Sequence, residues 1–247
     1  MNDPRPPLEQ AAARGAAGAP VRHDSAHLHV AGEAAYTDDI LEARGTLHAA
    51  FGLSKRPHAR VKSLDLSAVR AAPGVVAVLA AADVPGENNV GPILHDDPIL
   101  AADEVQFVGQ PIFLVVADTV DAARRAARLG AVEYEDLPAI LTIEDALAKQ
   151  SFVVPSVTLQ RGDWQAALAG APHRLKGAFR IGGQEQFYLE GQVAYAVPKE
   201  DGDVAVYSST QHPGEVQLQV AHALGVEAHR VTVECRRMGG GFGGKET

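Results

Sequence analysis

The residues best placed to do chemistry lie at the end of the chain, from Met238 to Thr247 (MGGGFGGKET). Five glycines surround the ring of Phe242, and Lys245 and Glu246 follow directly. Because an ordered glycine run loses much backbone entropy and packs no side chains, it needs a compensating contact. Glycine also lets backbone N–H groups approach a ligand closely, so the pattern predicts a binding loop. A flexible linker is the simpler alternative, but linkers are rarely entered from a strand or interrupted by an aromatic.

A second polar signal lies in residues 182–190 (GGQEQFYLE), where two glycines end an alternating run and expose Gln184. Ligands collect at strand ends in sheets flanked by helices. The neutral amide of Gln184 can donate a hydrogen bond to an oxo group, and Phe242 can shield a reacting centre from water. Taken singly, Gln184 is better explained as a turn residue and Phe242 as a core residue.

Nucleotide phosphate is another candidate ligand for the glycine run. Gly239, Gly244 and Lys245 match the first seven positions of a P-loop that follows a strand. The eighth position of a P-loop is a Ser or Thr that holds Mg²⁺, whereas this chain has Glu246, a carboxylate that would repel phosphate. The pattern therefore disfavours a nucleotide site.

Composition limits the classes of protein. The chain has 247 residues, 46% of them hydrophobic and 21% charged, as expected for a globular protein with one or two domains. Its net charge of −9 argues against nucleic acid or an anionic membrane as partner. The single cysteine, Cys235, excludes an internal disulfide or a four-cysteine cluster in this sequence. With no long apolar run and no signal-peptide core, we expect a cytoplasmic protein.

The element pattern predicts a mixed α/β fold in two parts. Residues 1–24, rich in Pro, Ala and Gly, are expected to form a mobile tail, and the nearby His23, His27 and His29 a solvated segment rather than a metal site. The predicted elements of the first domain, residues 25–150, are strands at 47–53, 59–66 and 75–79, a hairpin of 105–107 with 112–117, a strand at 132–135, and helices at 67–72, 120–129 and 142–149.

The second part, residues 151–247, contains the two polar signals. Its predicted elements are a helix at 164–169 capped by Asp163, a strand at 175–181, a hairpin around the Asp-Gly turn at 200–203, a helix ending at Leu224 and a strand at 231–235.

Together these motifs resemble the molybdenum hydroxylases of the xanthine dehydrogenase and aldehyde oxidase family, at the start of their molybdopterin-binding subunit. The resemblance is carried by residues 182–190 (GGQEQFYLE), 209–213 (STQHP), 220–225 (VAHALG) and 236–247 (RRMGGGFGGKET), and it extends back over 23–25, 36–39 and 107–111. It implies an N-terminal hammerhead domain followed by the first portion of the large molybdenum-binding domain.

The resemblance also implies roles for residues. Gln184 would hydrogen-bond an oxo ligand of molybdenum, while Phe242 and the backbone at Gly241 and Gly243 would lie against the metal and its pterin. No direct protein ligand to the metal is expected, since Gln184 and Phe242 would act from outside its coordination sphere. Glu246 falls where purine-specific members keep a carboxylate that contacts substrate, so it favours a purine over an aldehyde. Gln186 departs from the common histidine.

Further expectations concern what the chain lacks. In the family, the general base, the substrate arginine and most pterin contacts lie beyond the portion that this chain resembles, so we expect the chain alone to be inactive. FAD and [2Fe-2S] are expected on partner subunits, in a dimer of heterodimers with the remaining part of the molybdenum subunit. Two alternatives stay open: a non-catalytic assembly module of the same fold, and a hydroxylase of aldehydes or other N-heterocycles.

Overall fold

The structure is a computed structural model that describes residues 20–246. The α-helices of these residues are α1 (Ala26–Ala31), α2 (Ser67–Arg70), α3 (Val120–Ala127), α4 (Ile143–Ala148), α5 (Trp164–Gly170) and α6 (Pro213–Leu224). The strands are β1 (His48–Leu53), β2 (Ala59–Asp65), β3 (Val75–Ala80), β4 (Glu104–Val105), β5 (Pro111–Ala117), β6 (Ala131–Asp136), β7 (Ala194–Pro198), β8 (Val204–Ser208) and β9 (Val231–Glu234). The described residues fall into two compact units.

One unit, residues 43–187 and 221–226, contains two three-stranded antiparallel sheets in the orders β1-β5-β3 and β4-β2-β6. We call it the hammerhead unit. Strand β5 is the most buried strand because it lies between two neighbours and is apolar throughout, as its sequence PIFLVVA predicts.

Phe113 is at the centre of the apolar core of the hammerhead unit and is 2% exposed. A Cβ added at Gly52 or Gly130 would lie 2.0 or 2.3 Å from atoms of its ring, so the ring fits only against glycine at both positions. Helix α3 begins where the hydroxyl of Thr119 accepts a hydrogen bond from the backbone N–H of Ala122, and its alanine face packs against β1 and β5.

The other unit, residues 20–42, 188–220 and 227–246, contains a sheet in the order β7-β8-β9. We call it the loop unit, because it contains the glycine run. Strands β7 and β8 form the antiparallel hairpin that the Asp-Gly turn predicts, whereas β8 and β9 are parallel. Parallel neighbours need a long connection, and the chain between them includes helix α6. Strand β9 leads directly into the glycine run.

The mixed fold, the strands of the first part and the capped helices are confirmed by the structure. Two predictions are wrong. Strand β4 pairs with β2 and not with β5, because β5 is flanked on both sides by β1 and β3. Residues 175–181 form no strand, since their backbone pairs with no described strand and their side chains are exposed.

The structure leaves the predicted tail and the predicted domain boundary untested. Most of the tail predicted at 1–24 lies outside the described residues. The domain boundary between residues 150 and 151 stays a prediction. No helix within residues 20–246 is long and apolar enough to cross a membrane.

Candidate functional site

The glycine run folds into a tight turn with Phe242 at its tip. The backbone N–H of Gly244 donates to the carbonyl of Gly241 at 2.8 Å, and the two residues between them, Phe242 and Gly243, have φ of 53° and 87°. Positive φ at both central positions is typical of a type I′ turn. The Phe242 side chain is 75% exposed, so the turn presents its ring outward.

The glycines of the turn differ in what surrounds them. A Cβ at Gly239 would lie 2.5 Å from Cβ of Glu190, and one at Gly241 would lie 2.4 Å from Oε1 of Gln211. No atom lies within 4 Å of a Cβ added at Gly243. The backbone is therefore pressed against its own unit on one side and open around Gly243, as expected of a binding loop.

Gln211 holds the turn from the segment that follows strand β8. Its Oε1 accepts hydrogen bonds from the backbone N–H groups of Gly243 (2.9 Å) and Lys245 (3.3 Å). Its own backbone N–H donates to the carbonyl of Lys245 at 2.8 Å. The sequence motif 209–213 contained this residue, but no role was predicted for it.

Lys245 points into the loop unit, where its side chain is 1% exposed. Its Nζ donates to Oε2 of Glu190 (3.2 Å), to the carbonyl of Glu190 (2.8 Å) and to Oγ of Ser209 (2.5 Å). Its Nζ also lies 4.6 Å from the centre of the Tyr188 ring. Neither Lys245 nor Glu190 was predicted to be a partner of the other, because 55 residues separate them.

The Glu190 carboxylate is nearly as buried as its partner, with a side chain that is 8% exposed. Burial raises the pKa of this carboxyl, but hydrogen bonds from the Gly239 N–H, the Ser209 hydroxyl and the Lys245 ammonium outweigh that effect and hold the pKa below its usual 4.5. The other carboxylate oxygen, Oε1, is buried without a hydrogen-bond partner among the described residues.

Glu246, the predicted substrate carboxylate, lies directly after the buried lysine but is half-exposed. Its Oε1 lies 3.2 Å from Nε2 of His212, which also has Glu215 at 3.9 Å from its Nδ1. The histidine comes from the same segment as Gln211. Sequence reasoning missed this contact, because the two residues lie far apart in the chain and no motif joins them.

Gln184 belongs to the hammerhead unit, in an irregular and exposed segment that also contains Gln186. The structure brings Gly241, Phe242 and Gly243 together in one turn, and Glu246 follows two residues after it. The placement of Gln184 beside that turn stays a prediction, as do the roles of all five residues toward a cofactor or substrate.

The potential metal donors of residues 20–246 do not form a group of three or more that could hold an ion. His23 and His29 pack edge to face 5.7 Å apart, and His29 packs in the same way on Tyr36. Cys235 is a free thiol whose Sγ lies 3.6 Å from the carbonyl of Arg237.

Comparison with known proteins places this geometry in a family. Residues 31–138 match the aldehyde oxidase and xanthine dehydrogenase a/b hammerhead domain, and residues 146–247 match the molybdopterin cofactor-binding domain. The chain is 46% identical over 236 residues to xanthine dehydrogenase of Oryza sativa subsp. japonica, covering 94% of this chain and 17% of the relative. It is 45% identical over 231 residues to xanthine dehydrogenase/oxidase of Felis catus, covering 93% and 17%.

Solved structures agree with this assignment. Quinoline 2-oxidoreductase from Pseudomonas putida 86 superposes with a TM-score of 0.76 at 29% identity, covering 91% of this chain and 31% of that chain. Aldehyde oxidoreductase from Desulfovibrio gigas gives a TM-score of 0.76 at 30% identity, covering 89% and 26%. The chain thus spans about a sixth of the length of its curated relatives. It belongs to the aldehyde oxidase and xanthine dehydrogenase family, whose hammerhead and molybdopterin cofactor-binding domains it contains.

Proposed function

We propose that this chain is part of the molybdenum subunit of a xanthine dehydrogenase, which hydroxylates hypoxanthine and xanthine to urate. The observation that carries the proposal is that one short loop presents both the outward aromatic ring of Phe242 and the half-exposed carboxylate of Glu246. Curated relatives at 42–46% identity bear the name xanthine dehydrogenase, which supports the purine assignment over the aldehyde alternative.

The loop fits a bulky cofactor such as molybdopterin. Space is open around Gly243, the ring of Phe242 is exposed, and close packing of Gly239 and Gly241 sets the depth of the turn. The residues that would lie against the group are Gly241, Phe242 and Gly243, with Gln184 donating a hydrogen bond to one of its oxygens. When bound, a molybdenum cofactor accepts the electrons that hydroxylation releases.

The chain's own residues would then bind and orient the substrate. The Glu246 carboxylate can accept hydrogen bonds from ring N–H groups of a purine and stabilise the charge pattern that develops on the ring. Phe242 excludes water from one side of the reacting carbon. His212, 3.2 Å from Glu246, keeps the carboxylate in place.

The complete enzyme needs further groups. Replacing C–H by C–OH with oxygen from water releases two electrons and two protons, so electron carriers are required. We propose FAD and [2Fe-2S] on partner subunits, with the remaining part of the molybdenum subunit, in a dimer of heterodimers. The single cysteine of the chain supports a reducing compartment, and we propose the cytoplasm.

The test compares two substrates in the complete enzyme. Glu246→Val should lower kcat/KM for xanthine about 10- to 100-fold more than for a simple aldehyde, because a buried hydrogen bond to a charged group contributes about 1.5–3 kcal/mol and an aldehyde has no ring nitrogen. Gln184→Ala should lower both activities together, since a contact to the cofactor serves every substrate.

Glu200→Val is the matched control, because Glu200 is an exposed glutamate in the β7–β8 turn of the same unit. It should leave both activities unchanged. An unaltered xanthine-to-aldehyde ratio in Glu246→Val would refute the purine assignment. Absence of molybdenum from the purified complex would refute the enzyme assignment itself and favour the assembly module.

A further inference from the structure

A lysine buried beside the glycine loop is unusual enough to require an explanation. Lysine side chains are almost never fully buried unless they are paired, yet that of Lys245 is 1% exposed. An ammonium has three N–H donors, and Nζ of Lys245 has three acceptors within hydrogen-bond distance, two on Glu190 and one on Ser209. The ring face of Tyr188 adds a favourable contact with the cation. All three N–H donors of the Lys245 ammonium therefore have acceptors inside the loop unit.

The same carboxylate oxygen of Glu190 joins both ends of the loop. Oε2 accepts from the backbone N–H of Gly239 at 2.7 Å, where the loop begins, and from Lys245 at 3.2 Å, where it ends. Ser209 completes the set with a hydrogen bond of 2.5 Å to this oxygen. One atom therefore fixes the distance that the intervening five residues must span.

Stability alone does not account for this arrangement. Taking two charges out of water costs several kcal/mol per ion, and replacing a buried pair by well-packed apolar residues is often neutral or stabilising. A buried pair can instead specify one conformation among several. The loop has particular need of this, because Gly240, Phe242 and Gly243 all have positive φ and the glycines permit many other conformations.

We propose that the buried Lys245–Glu190 pair is a positioning device that holds the glycine loop closed, and so sets the ring of Phe242 and the carboxylate of Glu246. The pair itself touches neither substrate nor cofactor. The ligand that the loop contacts rests on the proposed function, whereas the role of the pair in holding the loop in one conformation does not. Gln211 supports the same turn by accepting hydrogen bonds from the N–H groups of Gly243 and Lys245.

The experiment uses the complete enzyme with Lys245→Met, Glu190→Gln and the double variant. Each single change leaves one buried group unpaired and should lower the thermal unfolding temperature. The double change removes both charges and should recover most of that loss. Amide hydrogen exchange of residues 238–245 should nevertheless be about tenfold faster in all three variants, because each change weakens or removes the link that Glu190 makes between Gly239 and Lys245.

Activity gives the second readout. In the double variant, kcat/KM for xanthine should fall at least about tenfold more than that for an aldehyde, since the misplaced Glu246 matters only to the purine. Asp203→Asn is the matched control: it breaks the half-exposed pair with Arg230 at 2.9 Å in the same sheet, and should change neither loop exchange nor the substrate ratio.

The outcomes separate cleanly. If the double variant regains stability with wild-type loop exchange and ratio, the pair is merely structural and the inference is wrong. If the three variants do not accumulate, Ser209→Ala, which removes one hydroxyl from the set, must show faster loop exchange or the inference is wrong. If the wild-type complex holds no molybdenum, the proposed function fails, and loop exchange still decides whether the pair clamps the loop.

Discussion

The buried centre of the hammerhead unit and the buried cluster beside the glycine loop consist of very different groups. In the hammerhead unit the buried centre is apolar, with Ile112, Phe113 and Val115 all 2% exposed or less. Beside the glycine loop the buried centre is ionic, with Lys245 and Glu190 joined at 3.2 Å. Apolar burial stabilises many similar packings, whereas a hydrogen-bonded ion pair tolerates few geometries. The first suits a scaffold, and the second suits a loop that must hold one shape.

The largest expected effect comes from emptying the apolar centre of the hammerhead unit. Phe113→Ala should destabilise the hammerhead unit by about 3–5 kcal/mol, because a large cavity would form between Gly52 and Gly130. Hydrogen exchange in strands β1, β3 and β5 measures this. Phe179→Ala is the matched control, since Phe179 is 87% exposed and should cost little. Equal effects of the two changes would contradict the assignment of Phe113 to the core.

Acid should weaken the ionic centre more than the apolar one. The folded pKa of Glu190 lies below its usual 4.5, so the carboxylate stabilises the fold fully above that pH and loses this contribution as the pH falls through the folded value. The difference in unfolding free energy between wild type and Glu190→Gln should therefore shrink below about pH 4.5. Denaturant titrations at several pH values measure it, and a difference independent of pH would contradict the prediction.

The smallest expected effect lies in the hammerhead unit, at a residue whose pKa is raised and not lowered. The carbonyl of Pro138, 2.8 Å from Nδ1 of His58, and the carboxylate of Glu104 raise the pKa of His58 above 6.5. The contribution of protonated His58 to folding stability is complete below pH 6.5 and is lost as the pH rises through the pKa of the folded state. His58→Asn should cost under about 1 kcal/mol at pH ~6 and less at pH ~9, because the group is partly exposed.

A variant of its partner tests the same contact. Glu104→Gln should reduce the pH dependence of the His58→Asn effect, as measured by unfolding at the two pH values. An effect that grows with rising pH would contradict the sign of the pKa shift.

Local patterns predicted the elements well and their partners poorly. The Thr119 and Asp163 caps and the Asp-Gly hairpin depend on neighbouring residues, so they were readable from the sequence. The pairing of strand β4 with β2 depends on which edges remain free once β5 is flanked by β1 and β3. That competition involves distant segments, and adjacency in sequence pointed to the wrong neighbour.

The candidate site shows the same division. Five glycines around Phe242 predicted an ordered loop, and the turn found there agrees. The buried pair was invisible because Lys245 matched a phosphate-binding pattern, and Glu190 merely ended another motif. A possible signal was present: each is a charged residue in a stretch otherwise made mainly of glycine, amide and apolar side chains. That the two side chains form a pair became apparent only from the folded structure.

Phe242 carries a consequence for attempts to engineer this protein. A bulky side chain at φ 53° strains the backbone by about 1–3 kcal/mol, and its ring gains little from burial because it is 75% exposed. A design procedure rewarded only for thermal robustness would exchange this residue for glycine or asparagine. The proposed role of Phe242 at the cofactor and resistance to heat therefore favour different residues at this position, and under that proposal a stabilised version of the chain should keep residue 242 unchanged.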